Sequence, residues 1–557
     1  MKYILKLSFL TFLFFTVSSC GLTDLDGNLE NPNEVGTSNL DVNLLMNKIQ
    51  LDFADFVGEA NNPAMDLCRM TALTGGDTYE RAYQPADFND VWDRSYQEVL
   101  VQLKTLLKKT DGTVFTIHSG SARVLRAYIM LTLVDLFGDV PYSESLKGDE
   151  GIFNPKADDG KAVYEAAIVT LDEAIALLGK TGAAPLTRDV YYAGDAKKWI
   201  ALANTLKLKA YMNLRLTDKV GATAKITELL KADIIDTDAE EFTYKYGTAD
   251  VPARSRHPKY REMYRPQAGA AEGYLNNNFM LITYKQKGVE DPRWRYYFYR
   301  QVGSITKALK DDPKAIPCII SPRPSHYSPT TAWCSFEPGF FGRDHGNSDG
   351  LPPDTKAKTC FGVYPAGGLS DKNPKDSTNF TVISVQGQGA NGAGIQPIWM
   401  ASFTDFLKAE AALTLGTPGD AGALMLDGVK KSIARTRAFA KAKGQDLPVG
   451  LEPSEADYLT KVTDLYTAAA TTDDKLNVLG KETLIALWGN GVEGYNLYRR
   501  TGKPGDAQPM RAAVPGAFIR SLVYPSDFVA LNSTAKQKVP TAVNKVFWDN
   551  NPDNFVR

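Results

Sequence analysis

A helical period that recurs at a nearly fixed spacing constrains this chain more than anything else in it. In VYEAAIVTLDEAIALL, the side chains of Val163, Ala167, Leu171, Ala174, Ile175 and Leu178 share one face. In DAKKWIALANTLKLKAYMNL, Trp199, Leu202, Ala203, Leu206, Ala210 and Leu214 do the same, and Asp195 stands where an N-cap belongs. The two patterns start about 35 residues apart, near the tetratricopeptide period. An earlier pair, roughly 87–109 and 119–137, predicts a preceding helical hairpin. Its second member, ARVLRAYIMLTLVDLFG, is apolar nearly all round, which predicts burial between neighbours. Helical pairs stacked in this way form a curved scaffold, not a chemical site.

From 233 to 397 no helical period survives for long, and glycine, proline and aromatic residues crowd together. A stretch of that size either folds as a subdomain or serves function. Helical patterns return at WMASFTDFLKAEAALTLG, DAGALMLDGVKKSIARTRAFAKA and KETLIALWGNGVEGYNLYRR. The expected fold class is therefore mainly α, a tetratricopeptide-like helical-repeat scaffold with a large irregular, loop-rich insert. The expected divisions are a signal peptide at 1–19, a tether at 20–40 and a helical scaffold at 41–232. An irregular subdomain at 233–397 and C-terminal helices and tail at 398–557 follow.

The N-terminus, MKYILKLSFLTFLFFTVSSC, has Lys2 and Lys6, an apolar run from Leu7 to Val17 and small residues before a cysteine. That run is too short to span a bilayer core of about 30 Å, so it reads as a signal h-region. Val17-Ser18-Ser19-Cys20 resembles a bacterial lipobox, in which Cys20 is diacylated and becomes the new N-terminus. Two acyl chains make a stable anchor where one is marginal. The acidic, turn-rich GLTDLDGNLENPNEVGTSN behind it reads as a flexible leash. Cleavage after 19 removes two lysines and no acids, so the net charge moves from −2 to −4 (61 basic against 65 acidic residues). There is no basic field of the kind nucleic acid demands.

Cys68, Cys318, Cys334 and Cys360 remain. A Cys318–Cys334 disulfide suits an exported chain, and free buried thiols are the equal alternative, since the spacings match no zinc pattern.

Several spellings suggest chemistry, and context opposes each. In GRDHGNSDGLPPD, Gly346, Ser348 and Gly350 spell a nucleophile elbow, but Pro352 and Pro353 forbid the helix that must follow. Asp344, Asn347 and Asp349 are weak candidates for a calcium loop; His345 and Lys356 fall where ligands should be. GQGANG (387–392) spells G-x-G-x-x-G, yet Gly394 and Pro397 follow instead of a helix. No catalytic residue and no cofactor is expected, with a structural calcium ion the one weak exception.

Taken together, seven segments resemble the SusD/RagB outer-membrane lipoproteins of Bacteroidetes. These are the lipobox with ENPNEV; AYIMLTLVDLFGDVPYSESL; YYAGDAKKWIALANTLKLKAYMNLR; EDPRWRYYF; GRDHGNSDGLPPD with GVYPAGG; LWGNGVEGYNLYRRTGKP; and KVFWDNNP. The resemblance implies an outer-membrane, lipid-anchored protein facing the cell exterior. It also implies a nutrient-binding lid on a SusC-like TonB-dependent transporter, with a glycan or a peptide as ligand and no enzymatic activity. An exported glycan-active hydrolase and a ligand-free helical scaffold are the alternatives.

Aromatic residues make up 10% of the chain, which suits a glycan reader, because sugar C–H faces bury against rings while rim polar groups orient hydroxyls. The expected contacts come from two aromatic-bearing loops. GGDTYERAYQPADFNDVW offers Tyr79, Tyr83 and Phe88, and SHYSPTTAWCSFEPGFFG offers Tyr327, Trp333, Phe336 and Phe340. Trp333 leads, since no helical period around it explains its burial, whereas Trp92 reads as core. Because the 342–354 stretch is shared across members with different ligands, it reads as scaffold. Arg343 there can pair with a neighbouring aspartate, and Arg81 can orient a ligand.

Overall fold

The computed structural model describes residues 40–251, 255–264, 273–348, 357–373, 380, 382–383, 387–538 and 544–557. The lipobox, Cys20 and Asp349 lie outside the described residues. The first long helix, α1 (Val42–Leu67), starts where Asp41 accepts from the Asn43 N–H at 2.7 Å. A helical run then begins at Asn89, passes through a π-helical segment (Asp93–Leu100) and continues as α2 (Val101–Thr110). It pairs with α3 (Thr116–Phe137), which is buried along nearly its whole length, as its all-round apolar pattern predicts. The chain leaves α3 through Gly138 at φ +76°, a turn that a side chain would strain.

Next come α4 (Gly160–Leu178) and α5 (Ala196–Leu214), the two helices of the recurring period. Asp195 caps α5 by accepting from the Lys197 N–H at 3.0 Å. Gly120 lets α3 and α4 approach closely, because a Cβ there would stand 2.6 Å from Leu178 Cγ. A shorter α6 (Lys219–Leu229) follows. The C-terminal helices are α7 (Ala401–Leu415), α8 (Ala421–Ala442), α9 (Glu455–Ala468), α10 (Thr472–Ala486) and α11 (Gly491–Thr501). The fold is mainly α with tetratricopeptide-like helical pairs.

The stretch 233–397 holds only short elements among its described residues. Short helices there are joined by three antiparallel pairs: β1 (Phe242–Lys245) with β6 (Ile395–Trp399), β2 (Phe298–Tyr299) with β5 (Cys360–Phe361), and β3 (Ser335–Phe336) with β4 (Phe340–Phe341). Most of its buried aromatics join the main core, while Phe341, with Trp333 against it, belongs to a small cluster of its own. Tyr260, Trp294, Tyr297 and Phe361 belong to one buried cluster that runs from Leu45 to Val556. Phe361 stacks on Trp488, just ahead of α11, with ring centres 4.6 Å apart. A smaller cluster joins α7 to α10 through Phe406, Met425, Ile433, Tyr458 and Leu479.

Buried charges lock the helices together. Asp135 of α3 accepts from Tyr164 Oη (2.7 Å), Asn496 Nδ2 (2.8 Å) and Trp548 Nε1 (2.9 Å), and Lys209 lies 3.4 Å away. Glu410 of α7 takes Arg215 and Arg500, each at 2.7 Å. In the EDPRWRYYF turn, Arg293 pairs with Asp291 at 2.7 Å and reaches Glu482 at 3.1 Å. Each group would be costly to bury alone and is matched by an opposite charge or a donor.

Candidate ligand-binding site

The described part of GRDHGNSDGLPPD is a joint between segments. The backbone carbonyl of Arg343 accepts from the Asn277 N–H at 3.0 Å. Asp344 accepts from Asn277 Nδ2 at 2.8 Å and from the Cys334 N–H at 3.2 Å. The His345 N–H donates to Gln508 Oε1, and His345 Nε2 lies 3.0 Å from Tyr79 Oη. Arg343, Asp344, His345 and Asn347 are all buried. Burial pushes the Asp344 carboxyl up to about 6, and burial with the nearby Arg69 charge holds His345 well below its ordinary value. The described residues leading into Ser348, 342–348, are turn and irregular backbone and not the strand that a nucleophile elbow needs before its serine.

The calcium reading of Asp344 and Asn347 fits poorly. Two N–H donors point at the Asp344 carboxylate, an arrangement that suits an anion already satisfied and not one awaiting a cation. Among the described residues no group of three or more His, Cys, Asp or Glu side chains is placed to hold a metal ion.

The five aromatic candidates divide by burial. Phe340 has no exposed surface; its ring stacks on Phe336 at 4.6 Å and meets Tyr284 at 5.0 Å and Trp294 at 5.5 Å. Tyr79 is 3% exposed, with its hydroxyl against His345 and Arg69 and its ring edge on Phe518. Tyr327 is also buried, edge-on to Trp333. Tyr83 is half-buried and donates its hydroxyl toward Asp66 and the Pro63 carbonyl at 3.1 Å. These four rings pack the protein, because a segment without helical period still buries aromatics when its backbone pairs elsewhere. Trp333 is partly buried, packs against the small cluster that holds Ile316 and Phe341, and has no side-chain hydrogen bond among the described residues. Phe88 is buried against Phe137, and Trp92 is buried as its helical position suggests.

The Trp333 loop is tethered. Cys318 and Cys334 form a disulfide, with Cα atoms 5.6 Å apart, while Cys68 and Cys360 are free and buried. Segment 508–518, which carries no periodic pattern, ties the two aromatic loops together. His326 Nε2 meets the Met510 carbonyl at 2.9 Å and Gln508 Nε2 donates to the Ala332 carbonyl at 3.1 Å. Likewise, the Arg511 N–H donates to the His345 carbonyl, and the Tyr79 N–H to the Pro515 carbonyl.

Beside this tethered loop opens a cavity of about 550 Å³. His326, Ser328, Thr330 and Thr331 form the loop wall, and Asn278, Gln286 and Asn554 present amides opposite. Tyr498 and Phe555 supply ring surface. The lining holds one carboxylate side chain, Asp506, which takes Lys481 at 2.8 Å and Gln286 Nε2 at 3.0 Å. Arg557 also lines the cavity and Trp333 stands outside it; hydroxyls and amides around ring surface suit a polar, hydroxyl-bearing ligand. Sequence reasoning missed the amide wall, since its members come from elements far apart in the chain.

The scaffold and this cleft define a helical-repeat binding protein. A SusD-like family model, described as "Starch-binding associating with outer membrane", matches residues 32–312, just over half of the chain. The chain belongs to this family, the SusD/RagB proteins. No curated protein matches it. Among solved structures it is similar to a chitin-binding protein, at 17% identity and a TM-score of 0.65, over 92% of this chain and 100% of that one. A SusD homologue from Bacteroides uniformis matches at 18% identity and 0.61, over 91% and 99%. A SusD/RagB family protein from Bacteroides thetaiotaomicron matches at 17% and 0.59, over 89% and 95%. At these identities the likeness is one of fold.

Proposed function

We propose that the protein captures a glycan at the outer face of the outer membrane and hands it to a SusC-like TonB-dependent transporter, over which it sits as a lid. Family membership supports the setting, and one relative in fold is a chitin-binding protein. No described helix is long and apolar enough to cross a membrane, which is consistent with tethering through lipid on Cys20. The observation that carries the reading is the cleft beside the disulfide-tethered loop, walled by hydroxyls and amides. Glycoside hydrolysis takes two carboxyl groups flanking the bond. Here the one carboxylate side chain in the lining is spent on Lys481, so capture is favoured over cleavage.

Calorimetry of the protein starting at Asp24 against glycan and peptide libraries, with turnover followed in the same samples, tests this. Saturable binding of an unaltered glycan, weakened about tenfold by His326→Ala in the lining and less by Trp333→Ala behind it, is the expected result. Product formation would replace capture with hydrolysis, and binding confined to peptides would replace the ligand class.

A further inference from the structure

A second concavity lies away from the disulfide-tethered loop, where the π-helical segment Asp93–Leu100 meets the helix Ser526–Leu531. Its volume is about 320 Å³, at the lower end of the range for small-ligand sites. The floor is aromatic. Trp92 lies against Phe528 with ring centres 4.7 Å apart, and against Tyr96 at 5.0 Å. Tyr96 is fixed by donating its hydroxyl to the Pro141 carbonyl at 2.7 Å. At the mouth, Phe153 is 76% exposed and Leu531 80% exposed, although both are large apolar side chains. Exposed apolar side chains flanking an aromatic floor mark a surface that binds something.

The rim is acidic. Asp93 and Asp527 both line the opening, and neither forms an ion pair among the described residues. The nearest arginine in sequence, Arg94, is spent on Glu98, with both carboxylate oxygens at 2.9 Å. Partial burial, then the charges of Asp527, Asp90 and Glu98, raise the Asp93 carboxyl above its ordinary value. Arg94 offsets Asp93 only in part, and Asp93 accepts from Gln97 Nε2, so the rim keeps net negative charge beside the exposed Phe153 ring that a bound cation would relieve. The spare hydrogen-bonding capacity at the rim is of acceptors: the two carboxylates and the side-chain oxygen of Gln97.

We propose that this groove is a second carbohydrate site, selective for a pyranose bearing a protonated amine, whose ring lies against the exposed Phe153 above the Trp92–Phe528 floor while its amine is held by Asp93 and Asp527. Aromatic faces take the sugar's C–H surface and add cation–π attraction to the amine. The acceptors at the rim take its hydroxyls, which a lysine side chain would leave unused. The choice of a sugar rests on the glycan reading above; the charge of the ligand rests on the groove alone.

Calorimetry on the protein starting at Asp24 compares a glucosamine tetramer with its fully N-acetylated counterpart. The free-amine tetramer binds, and acetylation, which removes the charge, weakens it about tenfold or more. Asp527→Asn and Phe153→Ala, both at exposed positions, weaken the amine form to a similar degree, whereas Trp333→Ala leaves it unchanged. Equal binding of the two tetramers, no binding of either, or indifference to both groove variants overturns the assignment. So does loss on Trp333→Ala alone, which would place the ligand at the disulfide-tethered loop. A lysine tripeptide that competes as well as the tetramer overturns the sugar but leaves the acidic groove. Neutral-glycan binding sensitive to Trp333→Ala is read in the same titrations, so the two sites fail separately.

Discussion

Glu410 lies wholly inside the protein, yet it carries charge. Burial alone would raise its carboxyl; the Arg500 and Arg215 guanidiniums outweigh that and hold it at about 2, against an ordinary 4.5. A carboxyl depressed in the folded state stabilises it above the unfolded value, and that contribution is lost as pH falls from about 4.5 toward 2. The shift corresponds to stabilisation on the order of 3 kcal/mol. Urea unfolding midpoints measured from pH 6 down to 2.5 are expected to fall steeply below pH 4.5. Glu410→Gln is expected to lower the midpoint at pH 6 and flatten that acid limb; an unchanged limb would mean that Glu410 does not carry it. None of this is legible in the sequence, where Glu410 is one acid in a helical pattern and its two arginines lie in other helices.

At the scale of elements, the disulfide decides how well the Trp333 loop is placed. Cross-linking a segment of 16 residues restricts the unfolded chain by roughly 3 kcal/mol in the loop-entropy account. The apolar cluster around it is small, built from Ile305, Ile316, Phe341 and a few neighbours, and has little else to hold it. Reduction, or Cys318→Ser with Cys334→Ser, is therefore expected to expose 319–333 to limited proteolysis. Glycan affinity should fall while far-UV circular dichroism stays the same; retained affinity in the reduced protein would separate the loop from the site. Periodicity alone makes α3, α4 and α5 readable, together with the Asp195 cap. It cannot separate Trp333 from Phe340, because absence of a helical period marks both alike. Phe340 sits in a two-residue strand whose ring is enclosed by Phe336, Tyr284 and Trp294, contacts that leave no local mark in a sequence. The same blindness hides segment 508–518, which joins the loops through backbone carbonyls.

Taken whole, the molecule has a main core that reaches from Leu45 to Val556 and draws in the aperiodic stretch at 233–397. Tryptophan fluorescence and far-UV circular dichroism are therefore expected to report the same unfolding midpoint. Asp135→Ala, which leaves the donors on Tyr164, Asn496 and Trp548 without their acceptor while Lys209 keeps Glu493 at 2.6 Å, should move both by an equivalent of about 3 kcal/mol. Two separated transitions would mark the expected subdomain as a body of its own.

The contacts of Asp135 also set a timetable. Trp548 follows it by 413 positions, and at about 5–20 residues per second the ribosome needs roughly 20–80 s to supply that partner. Through that interval α3 already has α4 and α5 to pack against, while Asp135 lacks its indole donor. A chain stopped short of Trp548 would hold its first helices packed around a carboxylate with one donor missing.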